Sequence, residues 1–192
     1  MQQNIDVNIT LKVINIMYNP VSYSDPSWLL QLTGNLTGRG PLPDAAINYL
    51  LIKHYCPVIV SPQVTEIAPG GQLLICHWHR LQEIAWLLGL KCCATSLIRS
   101  PLFLQQLTDS QRRFFFSPFC LPSVITQPAL ADEQILEVGA QILFQAANQL
   151  LSEDYLSRLR LVFPQHCNCN LSFDGRPLHL VLAAIQQAVL YV

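Results

Sequence analysis

The stretch from Cys76 to Cys93, CHWHRLQEIAWLLGLKCC, is rich in side chains that bind metals. Cysteine thiolates and histidine imidazoles are the ligands that zinc prefers in proteins. If the stretch is one helix, Cys76, His79 and Glu83 lie on the same face at three- and four-residue spacing. The pattern therefore raises the hypothesis of a zinc site, in either an enzyme or a zinc-stapled module.

A complete zinc site would need one or two further ligands, and the remaining candidates are cysteines. Cys92 and Cys93 are adjacent, while Cys167 and Cys169 are separated by one residue. Structural zinc sites usually carry pairs with two or more residues between the ligands. We therefore interpret the stretch as a core helix with a polar face and assign no metal ligand. The alternative is a cysteine- and histidine-rich metal-binding or redox helical protein.

No other catalytic motif is present in the sequence. It contains no Gly-x-Ser-x-Gly, no phosphate-binding glycine loop and no His-Glu-x-x-His. Cys76 and His77 do not make a catalytic dyad, because adjacent helical residues point about 100° apart. We predict no catalytic residue and no cofactor.

The composition indicates a protein that binds other proteins. Only 12% of its 192 residues are Asp, Glu, Lys or Arg, and 51% are hydrophobic. The charged fraction is about half the usual value of roughly 25%. Such a chain leaves apolar surface uncovered, and exposed apolar patches usually meet a partner. With a net charge of −1 and no basic stripe, nucleic acid is not a predicted partner.

The distribution of apolar residues predicts a cytoplasmic protein that does not insert into a membrane. The N-terminal MQQNIDVNITLKV lacks the basic region and continuous apolar core of a secretory signal. Prolines interrupt the longest charge-free run, and the apolar tail 177–192 is too short to span a bilayer comfortably. In this compartment the seven cysteines are expected to be reduced thiols.

Apolar spacing is helical over most of the chain, which predicts an all-α fold. We expect a single irregular multi-helix domain over residues 1–192, with a proline-rich connection at 117–128 between an N-terminal and a C-terminal helical part. A turn-rich connection is expected from Pro20 to Gly40. Residues 58–71 are interpreted as an extended loop, with one short β-hairpin around 58–67 as the alternative. Helices are predicted at 8–17, 43–55, 72–88, 92–99, 101–107, 112–116, 132–151, 153–162 and 178–190.

Local signals predict where several of these helices begin and end. Pro20 ends the first, and Gly89 is expected just beyond the end of the helix 72–88. Thr108 and Gln111 form a capping box, and Ser152 caps the helix that follows it. Three apolar stripes are predicted to face the core: Trp78, Leu81, Ala85 and Leu88; Ile135, Gly139, Ile142, Leu143, Ala146 and Leu150; and Leu178, Leu182, Ile185 and Val189.

Two places are candidates for partner binding. Arg112 and Arg113 precede Phe114, and arginine and aromatic residues are enriched at interaction hot spots. The alternative is that the phenylalanines lie in the core and the arginines in solvent. Trp28 is either a cover on the core or a partner contact.

Three stretches, taken together and in order, resemble a known family. They are Met17-Tyr18-Asn19-Pro20-Val21-Ser22-Tyr23, then Trp78-His79-Arg80-Leu81 with Ala85-Trp86-Leu87-Leu88-Gly89, then Arg158-Leu159-Arg160-Leu161-Val162-Phe163-Pro164. Their order and separation are similar to the OrgA/MxiK/SctK family of bacterial type III secretion accessory proteins. The likeness covers roughly residues 14–165.

The resemblance implies an all-α, non-enzymatic cytoplasmic adaptor that needs no cofactor. Members of this family link the cytoplasmic domain of the inner-membrane ring protein (SctD class) to the pod protein (SctQ class) in the sorting platform. The family signatures are structural and do not identify the residues that contact either partner. His79 between the tryptophan and the arginine, Trp86 in place of a tyrosine, and the high cysteine content depart from the family pattern.

Overall fold

A computed structural model describes residues 2–33, 42–56, 67–118, 121, 131–167 and 177–192. These residues form helices and contain no strand, which confirms the all-α prediction. Short 3-10 helices also occur at Pro20–Ser22 and Trp78–Arg80. The α-helices are α1 (Gln2–Tyr18), α2 (Pro26–Thr33), α3 (Asp44–Tyr55), α4 (Pro69–Cys76), α5 (Leu81–Cys92), α6 (Ala94–Leu97), α7 (Pro101–Gln106), α8 (Asp109–Phe115), α9 (Asp132–Leu150), α10 (Glu153–Val162) and α11 (Leu178–Val189).

The predicted hairpin at 58–67 and the proline-rich connection at 117–128 fall mostly outside the described residues. The predicted loop at 58–71 is wrong at its end, because Pro69 to Gly71 form the first turn of α4. The chain divides into two compact units, and each contains segments from both sides of 117–128. Unit 1 comprises Met1–His79 and Ala147–His166, and unit 2 comprises Arg80–Ala146 and Cys167–Val192.

Unit 1 is built around α1, which packs against α4 and α10. A second part of its core consists of Trp28, Leu51, Cys56 and Leu161, all buried. The link between α1 and α3 is polar. The Oδ1 of Asn48 in α3 accepts a hydrogen bond from the Val21 backbone amide at 2.8 Å, and its Nδ2 donates to Asn19 Oδ1 at 2.8 Å.

Unit 2 is built around α5, whose residues are buried from Leu87 to Cys92. α5 packs against α8 and α11, and it also meets α9 very closely. A Cβ added to Gly89 would lie 1.9 Å from the carbonyl oxygen of Ile135. The prediction that Gly89 ends the helix is therefore wrong: α5 continues to Cys92, and Gly89 is required because a side chain does not fit there.

The predicted helix 72–88 is two helices. α4 begins earlier, at Pro69, and ends at Cys76. The His77 amide donates to the carbonyls of Leu73 and Leu74 at 3.3 and 3.2 Å, and α5 starts after the 3-10 turn Trp78–Arg80. The single helical face expected for Cys76, His79 and Glu83 is therefore not formed.

The predicted turn-rich connection from Pro20 to Gly40 contains a helix, α2. Asp25 and Pro26 begin it: proline is favoured at the first helical position, and Asp25 Oδ1 accepts from the Ser27 amide at 2.9 Å. The prediction of a continuous connection is therefore wrong over these residues. The Asp25-Pro26 pair is compatible both with a turn and with the start of a helix, and here it starts a helix.

One local prediction is confirmed and two need correction. Thr108 and Gln111 form the expected capping box. Ser152 occupies the N-cap position of α10, but its side chain makes no capping hydrogen bond. The buried face of α11 is turned about one residue from the predicted one. It consists of Val181, Ala184, Ile185 and Ala188.

Candidate functional site

In unit 1, the first of the three stretches that carry the family resemblance meets the second at the side chain of Trp78. This side chain is buried. The ring of Tyr23 meets it edge-on, with centroids 5.9 Å apart and an interplanar angle of 82°. The ring of Tyr155 also meets it, at 6.3 Å and 61°. We call Tyr23, Trp78 and Tyr155 the aromatic junction.

Hydrogen bonds beside the aromatic junction anchor Tyr23 to the end of α1 and join the third stretch to Asp25 and Trp28, which follow the first stretch. The Tyr23 hydroxyl donates a hydrogen bond to the Ile16 carbonyl at 2.7 Å. The Asp25 amide donates to the Leu161 carbonyl at 2.8 Å, and Trp28 Nε1 donates to the Phe163 carbonyl at 2.7 Å. Trp78 and buried residues of the first and third stretches thus contribute to the interior of unit 1, whereas Arg80 to Gly89 of the second stretch belong to unit 2.

Arg158 is a charged residue in this interior and is almost completely buried. Its Nε donates to the Met17 carbonyl at 3.2 Å, in the last turn of α1, and its Nη1 donates to the Asp154 carbonyl at 2.8 Å. The carboxylate of Asp154 lies 4.0 Å from the same Nη1. Arg158 therefore joins α10 to the end of α1 and balances a buried carboxylate. Sequence reasoning missed this role, since an arginine in a short helix looks solvated.

Burial governs the ionisation of the groups around Arg158. Desolvation raises the pKa of Tyr155 to about 12, although the positive charge of Arg158 opposes the change. Desolvation also raises the pKa of Tyr23 and of the Cys56 thiol, again opposed by Arg158. Neutral, protonated phenols and thiol are therefore the stable forms here at neutral pH.

The residues predicted to contact partners occupy different environments. Trp28 and Phe114 are buried in the interiors of unit 1 and unit 2. Arg112 and Arg113 are exposed. Arg112 Nη2 donates to the Leu107 carbonyl at 3.1 Å, and Nη1 lies 3.8 Å from an Asp109 carboxylate oxygen. These contacts hold the Arg112 side chain along the surface of α8.

Phe116 follows the two buried phenylalanines of α8 and is 58% exposed. Its ring meets that of Phe115 edge-on, with centroids 5.0 Å apart. An exposed aromatic ring near two exposed arginines has the chemistry of an interaction hot spot. The sequence predicted Phe114 as the aromatic contact. Which of the three consecutive phenylalanines is exposed depends on tertiary packing, and the sequence alone does not reveal it.

Lys91 fixes the end of α8 from within unit 2. It is buried in α5, and its Nζ donates to the carbonyls of Phe114, Phe115 and Ser117 at 3.3, 2.7 and 2.6 Å. A lysine that binds the last carbonyls of a helix satisfies acceptors left without a helical donor. Lys91 therefore positions the exposed surface of α8.

The cysteine- and histidine-rich stretch does not form a metal site in the described part of the chain. There, no three or more His, Cys, Asp or Glu side chains are grouped to hold a metal ion, and Cys169 lies outside this part. The Cys76 carbonyl accepts from Lys12 Nζ at 3.0 Å, and His79 Nε2 lies 3.3 Å from Asn15 Nδ2. None of the described cysteines forms a disulfide.

A cleft of about 500 Å³ opens in unit 2. Its apolar lining comes from Trp86, Leu87 and Leu136, and Gln82, Glu83 and Gln111 are among its polar residues. Its volume falls within the range of roughly 300–1,000 Å³ typical of ligand pockets. A mixed apolar and amide lining suits a peptide side chain, so this cleft is a candidate binding site.

Among the described helices, none has the length and apolar character needed to cross a membrane.

No solved structure is significantly similar to the chain. Over 177 residues the chain is 28% identical to the oxygen-regulated invasion protein OrgA of Salmonella typhimurium strains 14028s, SL1344 and LT2. The similarity covers 92% of this chain and 86% of that protein. Residues 13–188 match the OrgA_MxiK family model of bacterial type III secretion apparatus proteins. The chain therefore belongs to the OrgA/MxiK family of type III secretion apparatus proteins.

Proposed function

We propose that this protein is a non-enzymatic cytoplasmic adaptor of the type III secretion sorting platform. It links the cytoplasmic domain of the SctD-class inner-membrane ring protein to the SctQ-class pod protein, at the inner-membrane base of the apparatus. The observation that carries this proposal is the family match, which extends over residues 13–188. An adaptor acts by binding, so its essential features are surfaces and not a catalytic arrangement.

The distribution of exposed apolar side chains supports a protein that binds partners. Large hydrophobic residues are exposed on each unit, in a chain with few charges to cover them. Exposed apolar surface of this kind is stabilised by contact with another protein. The exposed residues include Val7, Leu11, Leu30 and Tyr49 in unit 1, and Ile98, Phe116 and Leu190 in unit 2.

We assign one partner contact to the exposed surface of α8, consisting of Arg112, Arg113 and Phe116. Phe114 is buried in the interior of unit 2 and Trp28 in that of unit 1, so neither is part of this surface. The arginines would supply bidentate hydrogen bonds to carboxylates of the partner, and Phe116 would supply apolar area.

Binding of the purified chain to each cognate partner tests this function. The SctQ-class protein and the ring protein's cytoplasmic domain are immobilised separately, and affinity is measured by biolayer interferometry. We expect saturable binding to both. The double variant Arg112→Glu/Arg113→Glu should weaken one of the two interactions at least about tenfold. Arg99→Glu, at another exposed arginine of unit 2, is the matched control. If the folded wild-type chain fails to bind one of the two partners, the adaptor function is refuted.

A further inference from the structure

Helix α1 carries apolar side chains on two opposite faces. One face packs into unit 1 and contains Ile9, Val13, Ile16 and Met17, all buried. The other face is not covered: Val7 is 60% exposed, Leu11 62%, Ile14 48% and Tyr18 51%. We call these four residues the α1 stripe.

The α1 stripe has the spacing of a coiled-coil seam. Its members are separated by four, three and four residues, which is the alternation of heptad positions d and a. At 1.5 Å per residue, the stripe extends roughly 16 Å along the helix. An exposed seam with this periodicity is complementary to the apolar seam of a second helix lying alongside.

The flanks of the α1 stripe are uncharged. Asn8, Thr10 and Asn15 occupy neighbouring positions, and Lys12 is the only charged residue between Val7 and Tyr18. Lys12 turns away, because its Nζ donates to the Cys76 carbonyl at 3.0 Å. Flanking charges normally select the partner in a helix pair, and a mismatch repels it. The α1 stripe therefore fits a helix whose own flanking positions are polar and uncharged.

The size of the α1 stripe argues against a second copy of this chain as its occupant. Four side chains that are half to two-thirds exposed offer on the order of 400 Å², whereas a stable interface needs roughly 800 Å² from each partner. A self-association through the stripe alone would be too small to persist. A single partner helix, as one part of a larger interface, matches the available area.

We propose that the α1 stripe binds one amphipathic helix of a partner protein, about three turns long, with apolar a and d positions and uncharged flanks. This inference rests on the proposed adaptor function and assigns one of its docking surfaces. In the complex the α1 stripe is buried, and α1 is held between unit 1 on one face and the partner helix on the other.

Photocrosslinking tests this proposal in the assembled complex. The chain carries the photoreactive residue p-benzoylphenylalanine at position 11, or at position 102 as a control, and is co-expressed with the SctQ-class protein and the ring protein's cytoplasmic domain. Leu102 is exposed in unit 2 and does not belong to the stripe. We expect position 11, and not position 102, to crosslink to a helical segment with heptad apolar spacing in one partner.

A charge-insertion variant provides the second measurement. Leu11→Glu/Ile14→Glu should reduce affinity for that same partner at least about 30-fold, while Leu102→Glu leaves it unchanged. The substituted side chains are exposed, so thermal unfolding should match that of the wild type. An intact complex with unchanged affinity in the double variant would overturn this inference alone. So would crosslinking from position 11 only to a second copy. If the wild-type chain binds neither partner, the adaptor function and this inference both fail.

Discussion

Gly139 of α9 lies against the backbone of Ala85 in α5, so close that a Cβ on the glycine would stand 1.6 Å from the Ala85 carbonyl oxygen. Gly89 makes the reciprocal approach to Ile135 from α5. Two glycines at one crossing allow two helices to pack with their backbones in contact. The crossing positions Trp86, Leu87 and Leu136, which line the cleft of unit 2.

Gly139→Ala is predicted to destabilise the protein by at least about 2 kcal/mol, because the helices must move apart to admit the methyl group. Helix propensity alone predicts the opposite, a gain of up to about 1 kcal/mol. Gly71→Ala is the milder comparison, since its Cβ would lie 2.9 and 3.0 Å from the Ile67 and Leu151 side chains and 3.2 Å from the Leu150 carbonyl oxygen, all much farther than the 1.6 Å at Gly139. Urea unfolding measures both variants. A stabilised Gly139→Ala protein would contradict the close crossing.

Lys91→Met is predicted to destabilise the chain by about 1–3 kcal/mol, because the buried carbonyls of Phe115 and Ser117 lose their donor. The end of α8 should loosen with it. Amide hydrogen exchange at residues 109–117 measures this loosening, together with the unfolding free energy. Lys53→Met, at an exposed lysine of α3, should change stability by less than about 0.5 kcal/mol. Equal effects of the two substitutions would show that Lys91 does not cap α8.

The buried pair Asp154 and Arg158 should behave as a coupled unit. Arg158→Leu leaves the Asp154 carboxylate buried without its counter-charge and should cost about 3–5 kcal/mol. The double variant Asp154→Leu/Arg158→Leu should recover part of that loss, since the uncompensated charge is gone. A double-mutant cycle from urea unfolding gives the coupling energy. Strictly additive effects would mean that the two side chains do not interact.

The two tyrosines of the aromatic junction should respond oppositely to loss of their hydroxyls. Tyr23→Phe removes a 2.7 Å hydrogen bond to the Ile16 carbonyl and should cost about 1 kcal/mol. The Tyr155 hydroxyl is buried without a hydrogen-bond partner among the described residues, so Tyr155→Phe should be neutral or stabilising at pH 7. Thermal unfolding of both variants decides this. A Tyr155→Phe variant as unstable as Tyr23→Phe would refute the assignment.

Tyr155 also predicts how stability changes in alkali. The unfolded phenol titrates near pH 10, whereas burial raises the folded pKa to about 12, so the folded state retains the proton over this interval. The effect of this phenol on stability is constant below pH 10, and its ionisation lowers the unfolding free energy as pH rises from about 10 through about 12. The unfolding free energy should fall less steeply over this interval in Tyr155→Phe than in the wild type. Parallel pH profiles would contradict the raised pKa.

Local sequence chemistry was sufficient for much of the fold. The capping box of Thr108 and Gln111 is present, and the stop signal at Pro20 ends α1 close to the expected residue. The stripe predicted for α9 is buried from Ile135 to Ala146. These features depend on interactions within a few residues, or on a period that persists over several turns.

The features that sequence reasoning missed depend on tertiary contacts. The break between α4 and α5 leaves the apolar period across Trp78 and Leu81 intact, so the period cannot reveal it. Gly89 has the same signature whether it ends a helix or admits a neighbouring backbone. The exposure of Phe116 was missed for the same reason: which of three consecutive phenylalanines is exposed depends on how α8 packs in unit 2.

Light scattering of a co-purified complex tests the adaptor function most directly. The tagged chain is co-expressed with its cognate SctQ-class protein and the ring protein's cytoplasmic domain, and the eluted mass is compared with those of the pairwise mixtures. We predict one species whose molecular mass corresponds to a complex of all three proteins. When this chain is omitted, the two partners should not associate. If the two partners associate equally well without this chain, or if the wild-type chain elutes alone, the adaptor function is contradicted.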